Sequence, residues 1–140
     1  MLCDAAQVMG DKLYILGGAW TYLWVLPDTP IGITLAIDLI VPWNRGNQRL
    51  DIALDLLTED GGEVLTPADV PEPVRVEGQV IAGRGPLARE GADLHVPMAV
   101  PLGPAVLEPG GYYAQLSING DPIARAPFQV AHQGQQPQQP

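Results

Sequence analysis

The sequence is poor in the side chains that most often perform enzyme chemistry. Its 140 residues include one cysteine, one serine, one lysine and two histidines. Cys3 has no partner for an internal disulfide, which is compatible with a reducing compartment, and with no basic residue nearby it is expected to be a buried, inert thiol. Ser117 lacks the Gly-x-Ser-x-Gly surroundings of a nucleophile elbow. His95 and His132 are far apart, whereas a metal site needs three or four convergent ligands. We therefore expect no enzyme activity, no cofactor and no metal.

Two other motifs have ordinary structural explanations. Gly83-Arg84-Gly85-Pro86 resembles a phosphate-binding loop, but the segment after it is too short for the helix that such a loop requires. Asp51 and Asp55 share a face, and Asp38 on a neighbouring strand could join them in a carboxylate cluster of the kind that glycosidases use. The alternating leucines favour a simpler interpretation, in which these aspartates form the solvent-exposed face of a sheet.

Positive charge is scarce. The formal net charge is −9, and the few arginines are scattered along the chain. Binding of nucleic acid or an anionic membrane requires clustered Lys and Arg, so neither partner is expected. No secretory signal is visible. The longest apolar stretch, residues 31–43, is too short to cross a bilayer and contains Asp38. These features predict a cytoplasmic protein without membrane insertion.

What the chain has in quantity is glycine and proline, 16 and 15 residues, placed between short apolar blocks. Residues 33–41 and 50–56 alternate between apolar and mostly polar positions, which is typical of strands. Gly10-Asp11 and Asn119-Gly120 are signals for tight hairpin turns. No apolar period of 3.6 persists for ten residues. We predict an all-β fold, an immunoglobulin-like antiparallel sandwich of about eight or nine short strands.

The predicted sandwich is one domain over residues 1–131. Residues 132–140 are rich in Gln and Pro, have almost nothing to bury, and are predicted to be a disordered tail. Pro97 and Pro101 fall at positions of the same parity in one strand, so both missing N–H groups point to one side. That strand is predicted to lie at a sheet edge.

The most distinctive feature is an aromatic stripe between Gly17-Gly18 and Pro27. Trp20, Tyr22 and Trp24 stand at every second position, so a strand over residues 19–26 would place the three rings on one face. Leu23 and Val25 would line the other face. In a two-layer sandwich only one face of a strand is buried within the chain, so one apolar face should remain exposed unless the loop of residues 42–47 covers it.

Three explanations of the stripe remain open: core packing, a protein-contact surface, and stacking of a sugar. The candidate interaction surface consists of Trp20, Tyr22, Leu23, Trp24, Val25 and Trp43. The predicted function is a non-enzymatic interaction or assembly module whose partner is a second copy, as a dimer, or another protein. The alternative is a small-ligand or carbohydrate-binding sandwich that uses the aromatic stripe.

The sequence also resembles a family of small bacterial proteins known only as a domain of unknown function. The resemblance is carried by Leu2-Cys3-Asp4-Ala5-Ala6-Gln7-Val8, Gly10-Asp11-Lys12-Leu13, Leu16-Gly17-Gly18-Ala19-Trp20, Val41-Pro42-Trp43 and residues 112–120. It spans nearly the whole chain except the tail. The resemblance implies no activity, cofactor or partner, so no functional residue is carried over from it.

Overall fold

Because apolar residues recur at every second position, most of the chain is extended, as the sequence predicts. The computed structural model describes residues 1–134. Its strands are β1 (Leu2–Met9), β2 (Lys12–Gly18), β3 (Tyr22–Val25), β4 (Ile31–Val41), β5 (Arg49–Thr58), β6 (Arg75–Ile81), β7 (Leu94–Ala105), β8 (Gly110–Ile118) and β9 (Asp121–His132). Helical structure within the described residues is a 3₁₀ turn, Trp43–Arg45. None of these residues belongs to a helix long and apolar enough to cross a membrane.

The strands form two sheets that share one hydrophobic core. The first sheet has the order β2-β1-β4-β7 and the second the order β3-β9-β8-β5-β6. Inward-facing residues of both sheets, among them Leu35, Leu54, Leu102 and Phe128, belong to one buried cluster. The all-β prediction is therefore confirmed. The antiparallel prediction is wrong for β3 and β9, which run parallel because the chain crosses to the second sheet after β2 and enters it beside the last strand.

Both predicted hairpin turns are present. Gly10 and Asp11, between β1 and β2, have φ angles of 55° and 59°. Asn119 and Gly120, between β8 and β9, have φ angles of 50° and 85°. Turns with two positive φ angles match the twist of the strands they join and favour Asn and Gly. Asn119 also accepts a hydrogen bond on Oδ1 from the amide of Asp51, at 2.9 Å, which ties the turn to β5.

The two prolines of β7 lie at a sheet edge, as predicted. Pro97 is opposite Asp38 and Pro101 is opposite Thr34 on β4, the one neighbour of β7 in the sheet. Their missing N–H groups therefore cost no hydrogen bond within the sheet, and they leave an outer edge that is poorly suited to pair with another strand.

The last strand continues one residue past the predicted domain boundary at residue 131. His132 belongs to β9 and lies opposite Val25 of β3. The amide of Gln133 donates a hydrogen bond to the carbonyl oxygen of Val25 at 2.8 Å. The beginning of the predicted tail is therefore attached to the second sheet, and its residues 135–140 lie outside the described part of the chain.

Candidate functional site

Strand β3 separates the residues of the aromatic stripe into two faces. Val25 is buried and Leu23 packs partly against the core. Tyr22 and Trp24 point the other way, and they are 70% and 39% exposed. The sequence left open which face of this strand is buried. The structure buries the aliphatic face and leaves the two rings outside.

Trp20 does not share a face with these rings. It lies before β3, and Ala19 ahead of it has a φ of 63°, which turns the chain away from an extended path. The Trp20 ring meets Phe128 edge to face, with 5.7 Å between the ring centroids. Its Nε1 atom is buried and has no hydrogen-bond partner in the described residues. Trp20 therefore belongs to the core, and the expectation of three rings on one face is wrong for it.

Trp43 is also separate from the stripe. It lies in the 3₁₀ turn after β4, where the guanidinium of Arg84 stacks 4.7 Å from its ring centroid. Arg84 also donates a hydrogen bond to the Trp43 carbonyl oxygen at 2.6 Å. In the same loop the amide of Asn47 donates to the carbonyl of Ala82. The loop of residues 42–47 is thus attached to the segment after β6, and it leaves Tyr22 and Trp24 exposed.

A more prominent surface comes from the first hairpin, which projects from the first sheet. The neighbouring strand β4 pairs with β1 only at Leu2 and Cys3, whereas β1 and β2 stay paired to their common turn. The five residues from Ala5 to Met9 extend about 17 Å at the usual rise of a strand. We call residues 5–16 the arm. The sequence predicted this hairpin but not its projection.

The base of the arm is shaped by Gly17. This residue lies across from Asp4 and has a φ of 58°, a backbone conformation that favours glycine. An added Cβ there would collide with the Asp4 side chain. A close approach of β2 to β1 is therefore possible at the point where the arm leaves the sheet.

The arm is apolar on both of its faces. Strand pairing divides the side chains between two faces. The first face carries Ala6, Val8, Leu13 and Ile15. The second face carries Ala5, Gln7, Met9, Lys12, Tyr14 and Leu16. Nearly all of these side chains are exposed, and Leu16 is 72% exposed. The first face carries no polar side chain at all. One side of the ribbon is therefore entirely apolar, and the other is apolar except for Gln7 and Lys12.

The exposed apolar residues are concentrated in this part of the molecule. Nine of the sixteen large hydrophobic residues exposed in the described chain fall within its first 26 residues. Only three residues join β2 to β3, so the arm and β3 follow one another closely along the chain. We define the amino-terminal apolar surface as Val8, Met9, Tyr14, Ile15, Leu16, Tyr22, Trp24 and Leu26. Adjacent exposed apolar residues such as those of the arm mark a contact site more often than scattered residues do.

The reactive side chains do not assemble around this surface. Cys3 is buried, as predicted, and its Sγ donates to the carbonyl oxygen of Thr34 at 3.6 Å. Burial raises the pKa of its thiol, an effect that the nearby amino terminus opposes and Asp4 reinforces.

Asp38 lies on the first sheet, where one carboxylate oxygen is 2.9 Å from Nδ1 of His95. Asp51 and Asp55 lie together on the second sheet, so Asp38 does not join them. Within residues 1–134 no three His, Cys, Asp or Glu side chains are grouped as metal ligands.

The geometry defines an all-β protein with two sheets, a projecting hairpin and an exposed apolar surface. A family model matches residues 1–131, and the chain belongs to that family, DUF6941, a family of unknown function. The resemblance seen in the sequence is thereby confirmed at the level of a family without an assigned role. No curated protein and no protein of solved structure matches this sequence.

Proposed function

We propose that the protein is a non-enzymatic interaction or assembly module that forms a homodimer through its arm. The observation that carries this proposal is the largely apolar character of both faces of the arm, most of whose side chains the described residues leave exposed. An isolated two-stranded hairpin is marginally stable in water, whereas additional strands or a packed face stabilise it. Contact with another chain would supply additional strands and a packed face.

A second copy of the chain is a suitable partner for the arm, because the edge of β1 is free to pair and the arm residues are mostly uncharged. Beyond Cys3 no strand of residues 1–134 pairs with the outer edge of β1, so its backbone N–H and C=O groups are available for pairing. Two such edges placed antiparallel about a two-fold axis would give a four-stranded sheet, since an isologous contact uses the same patch on both copies. Residues 5–9 and 13–16 are uncharged in a chain of net charge −9, so contact there brings the fewest like charges together.

Light scattering coupled to size-exclusion chromatography tests this proposal. We expect the wild type to be a dimer and Leu16→Asp to be a monomer, because a buried unpaired carboxylate is costly. The matched control is Leu87→Asp, which makes the same change at a leucine 95% exposed and outside the arm. A wild type that remains monomeric at high concentration, with no other protein recovered by an arm-dependent pull-down, would refute the proposal.

We further propose an immunoglobulin-like sandwich for the fold. The order β1-β4-β7 corresponds to strands A, B and E, and β9-β8-β5-β6 to strands G, F, C and C′. Tyr112 at the start of β8 donates its hydroxyl to the Glu108 carbonyl oxygen at 2.8 Å, the arrangement of a tyrosine corner. Ala114 stands two residues later, where antibody domains have a cysteine. Those three observations support the assignment, and the arm is then an insertion after strand A.

The cellular setting completes the proposal. The lone cysteine and the acidic composition support a cytoplasmic location, because such a chain needs no oxidising compartment and does not attract anionic membranes. A bacterial source is implied by the family resemblance alone. Fractionation of native cells with an antibody against the protein is the direct measurement. Recovery from the extracellular medium would contradict this location.

A further inference from the structure

The outer face of the five-stranded sheet holds a polar cavity that the arm does not touch. Its volume is about 630 Å³, and residues of β5, β6, β8, the β8–β9 turn and the start of β9 line it. Ala53 of β5 lies at its centre, between Glu77 on β6 and Ser117 on β8. The small side chains of Ala53 and Ser117 form the floor, and longer polar side chains form the walls.

Four oxygen-bearing side chains surround Ala53. Glu77 and Ser117 are its two cross-strand partners, and Asp51 and Asp55 stand two positions before and after it on β5. Cross-strand Cβ atoms lie about 5 Å apart, and residues two apart on a strand lie about 7 Å apart. The strand register therefore places four side chains with hydrogen-bond acceptors around the methyl group of Ala53.

Donors at the rim hold the carboxylates in place. Arg75 donates to Asp55 at 3.0 Å and to Glu77 at 2.6 Å, and Gln79 donates to Asp51 at 3.0 Å. Three carboxylates against one guanidinium leave two negative charges in the cavity. The site is thus organised and acidic, so it disfavours anions such as phosphate and attracts cations.

Ser117 provides the second, independent observation. It is the one buried polar side chain of the described residues, with 9% of its surface exposed, and it lines the cavity floor. None of the hydrogen bonds within the described residues involves its hydroxyl group. Its oxygen is not among the fully enclosed polar atoms that lack a partner, so it stays open to the cavity and can accept a hydrogen bond from a ligand there.

We propose that this cavity binds a small organic cation through an ammonium or guanidinium group, with Asp51, Glu77 and Ser117 as hydrogen-bond acceptors. Both cationic groups are donors without an acceptor, which matches an acceptor-rich and negatively charged site. A sugar fits less well, because the residues described as lining the cavity include no aromatic ring for stacking. The inference concerns a different face from the arm and stands apart from dimer formation.

Calorimetric titration of the full chain with spermidine and with agmatine tests the proposal. We expect both amines to bind one site per chain, and Glu77→Gln or Ser117→Ala to weaken binding about tenfold, since a charge-assisted hydrogen bond is lost or reoriented. The matched control is Glu90→Gln, which removes the same charge from an exposed turn and should leave binding unchanged. Circular dichroism confirms that each variant is folded.

Nuclear magnetic resonance on the unmodified protein gives a second measurement that needs no variant. Spermidine should shift the amide signals of Ala53, Glu77 and Ser117 and leave those of the arm in place. Equal weakening by Glu90→Gln would mean that amines only follow the net charge, and it would overturn the proposal. So would binding of glucose or calcium chloride in place of the amines, or no binding at all. Arm variants such as Leu16→Asp should keep amine binding, which separates this inference from the proposed function.

Discussion

At the scale of single residues, Tyr112 combines a hydrogen bond, aromatic packing and a shifted pKa. Its ring stacks on Phe128 with 5.7 Å between centroids, and its hydroxyl donates to Glu108. Burial raises the pKa of the phenol above its ordinary value of 10.0, and the nearby Glu108 charge raises it further. The folded protein therefore favours the neutral phenol.

Tyr112→Phe tests both properties. The ring packing is retained and one hydrogen bond is lost, so the free energy of unfolding should fall by about 1 kcal/mol near pH 7. Because the folded-state pKa is raised, the contribution of Tyr112 to stability is complete below about pH 10 and is lost as the pH rises through the folded pKa. Wild type and Tyr112→Phe should therefore converge in urea unfolding above pH 10.

The control for this experiment is Tyr113→Phe, because Tyr113 lies outside the arm and its hydroxyl takes part in no hydrogen bond within residues 1–134. It should leave the free energy of unfolding near pH 7 unchanged, since no hydrogen bond is lost. The Cys3 pKa is raised in the same direction, but this effect is common to all three proteins and cancels in the comparison. A constant gap between wild type and Tyr112→Phe from pH 7 to 11 would show that the phenol does not titrate with unfolding.

At the scale of elements, the arm is expected to be separable from the stability of the body. Replacing residues 5–16 by a two-residue Asn-Gly turn keeps the positions of Asp4 and Gly17, which lie across from each other. The deleted side chains bury little surface within their own chain, so the unfolding free energy of the monomer should change by less than about 1 kcal/mol. The shortened protein should be monomeric.

Urea unfolding at low protein concentration, together with light scattering, checks the arm deletion. Low concentration matters because dimer formation itself stabilises the folded state by mass action. A large loss of stability in the monomer would show that the arm packs on its own body. If the shortened protein remains dimeric, the interface lies elsewhere, for example at Tyr22 and Trp24 on β3.

The elements themselves could largely be predicted from the sequence, because their signals are local. Alternation identified β4 and β5, the Asn119-Gly120 turn identified the last hairpin, and the two prolines of β7 identified an edge. The surface was harder to predict, because alternation shows which residues share a face but not which strand lies beside them. Whether β4 accompanies β1 for two residues or for eight is a tertiary property, and it alone decides whether the arm projects.

Trp20 and Trp43 show in the same way that local sequence signals do not reveal the tertiary position of a side chain. Trp20 has the spacing of a stripe, yet the positive φ of Ala19 removes it from the strand. Alanine gives no warning of that conformation, which glycine or asparagine would have signalled. Trp43 was grouped with the stripe by composition, and its actual partner, Arg84, lies 41 residues away in the sequence. The alternating leucines favour a solvent-exposed face for Asp51 and Asp55, and the sequence alone does not place Ser117 opposite Ala53, because that position depends on the pairing of β5 with β8.

At the scale of the whole molecule, net charge opposes the association of two copies, whereas the exposed apolar surface favours it. Each chain carries a formal net charge of −9, so two copies repel one another as they approach. The residues of the arm that would meet are nearly all uncharged, so they add little electrostatic attraction. Association therefore depends on apolar burial working against a general repulsion.

Salt should therefore strengthen the dimer. The screening length falls from about 30 Å at 0.01 M salt to about 8 Å at 0.15 M, which removes most repulsion between the two bodies and leaves apolar contacts intact. Sedimentation equilibrium in sodium chloride should show the dimer dissociation constant decreasing as salt rises over this range. Amine binding in the polar cavity should weaken over the same range, because attraction between opposite charges is screened there. A dimer that dissociates as salt is added would instead be held by ion pairs, and the apolar arm could not then be its interface.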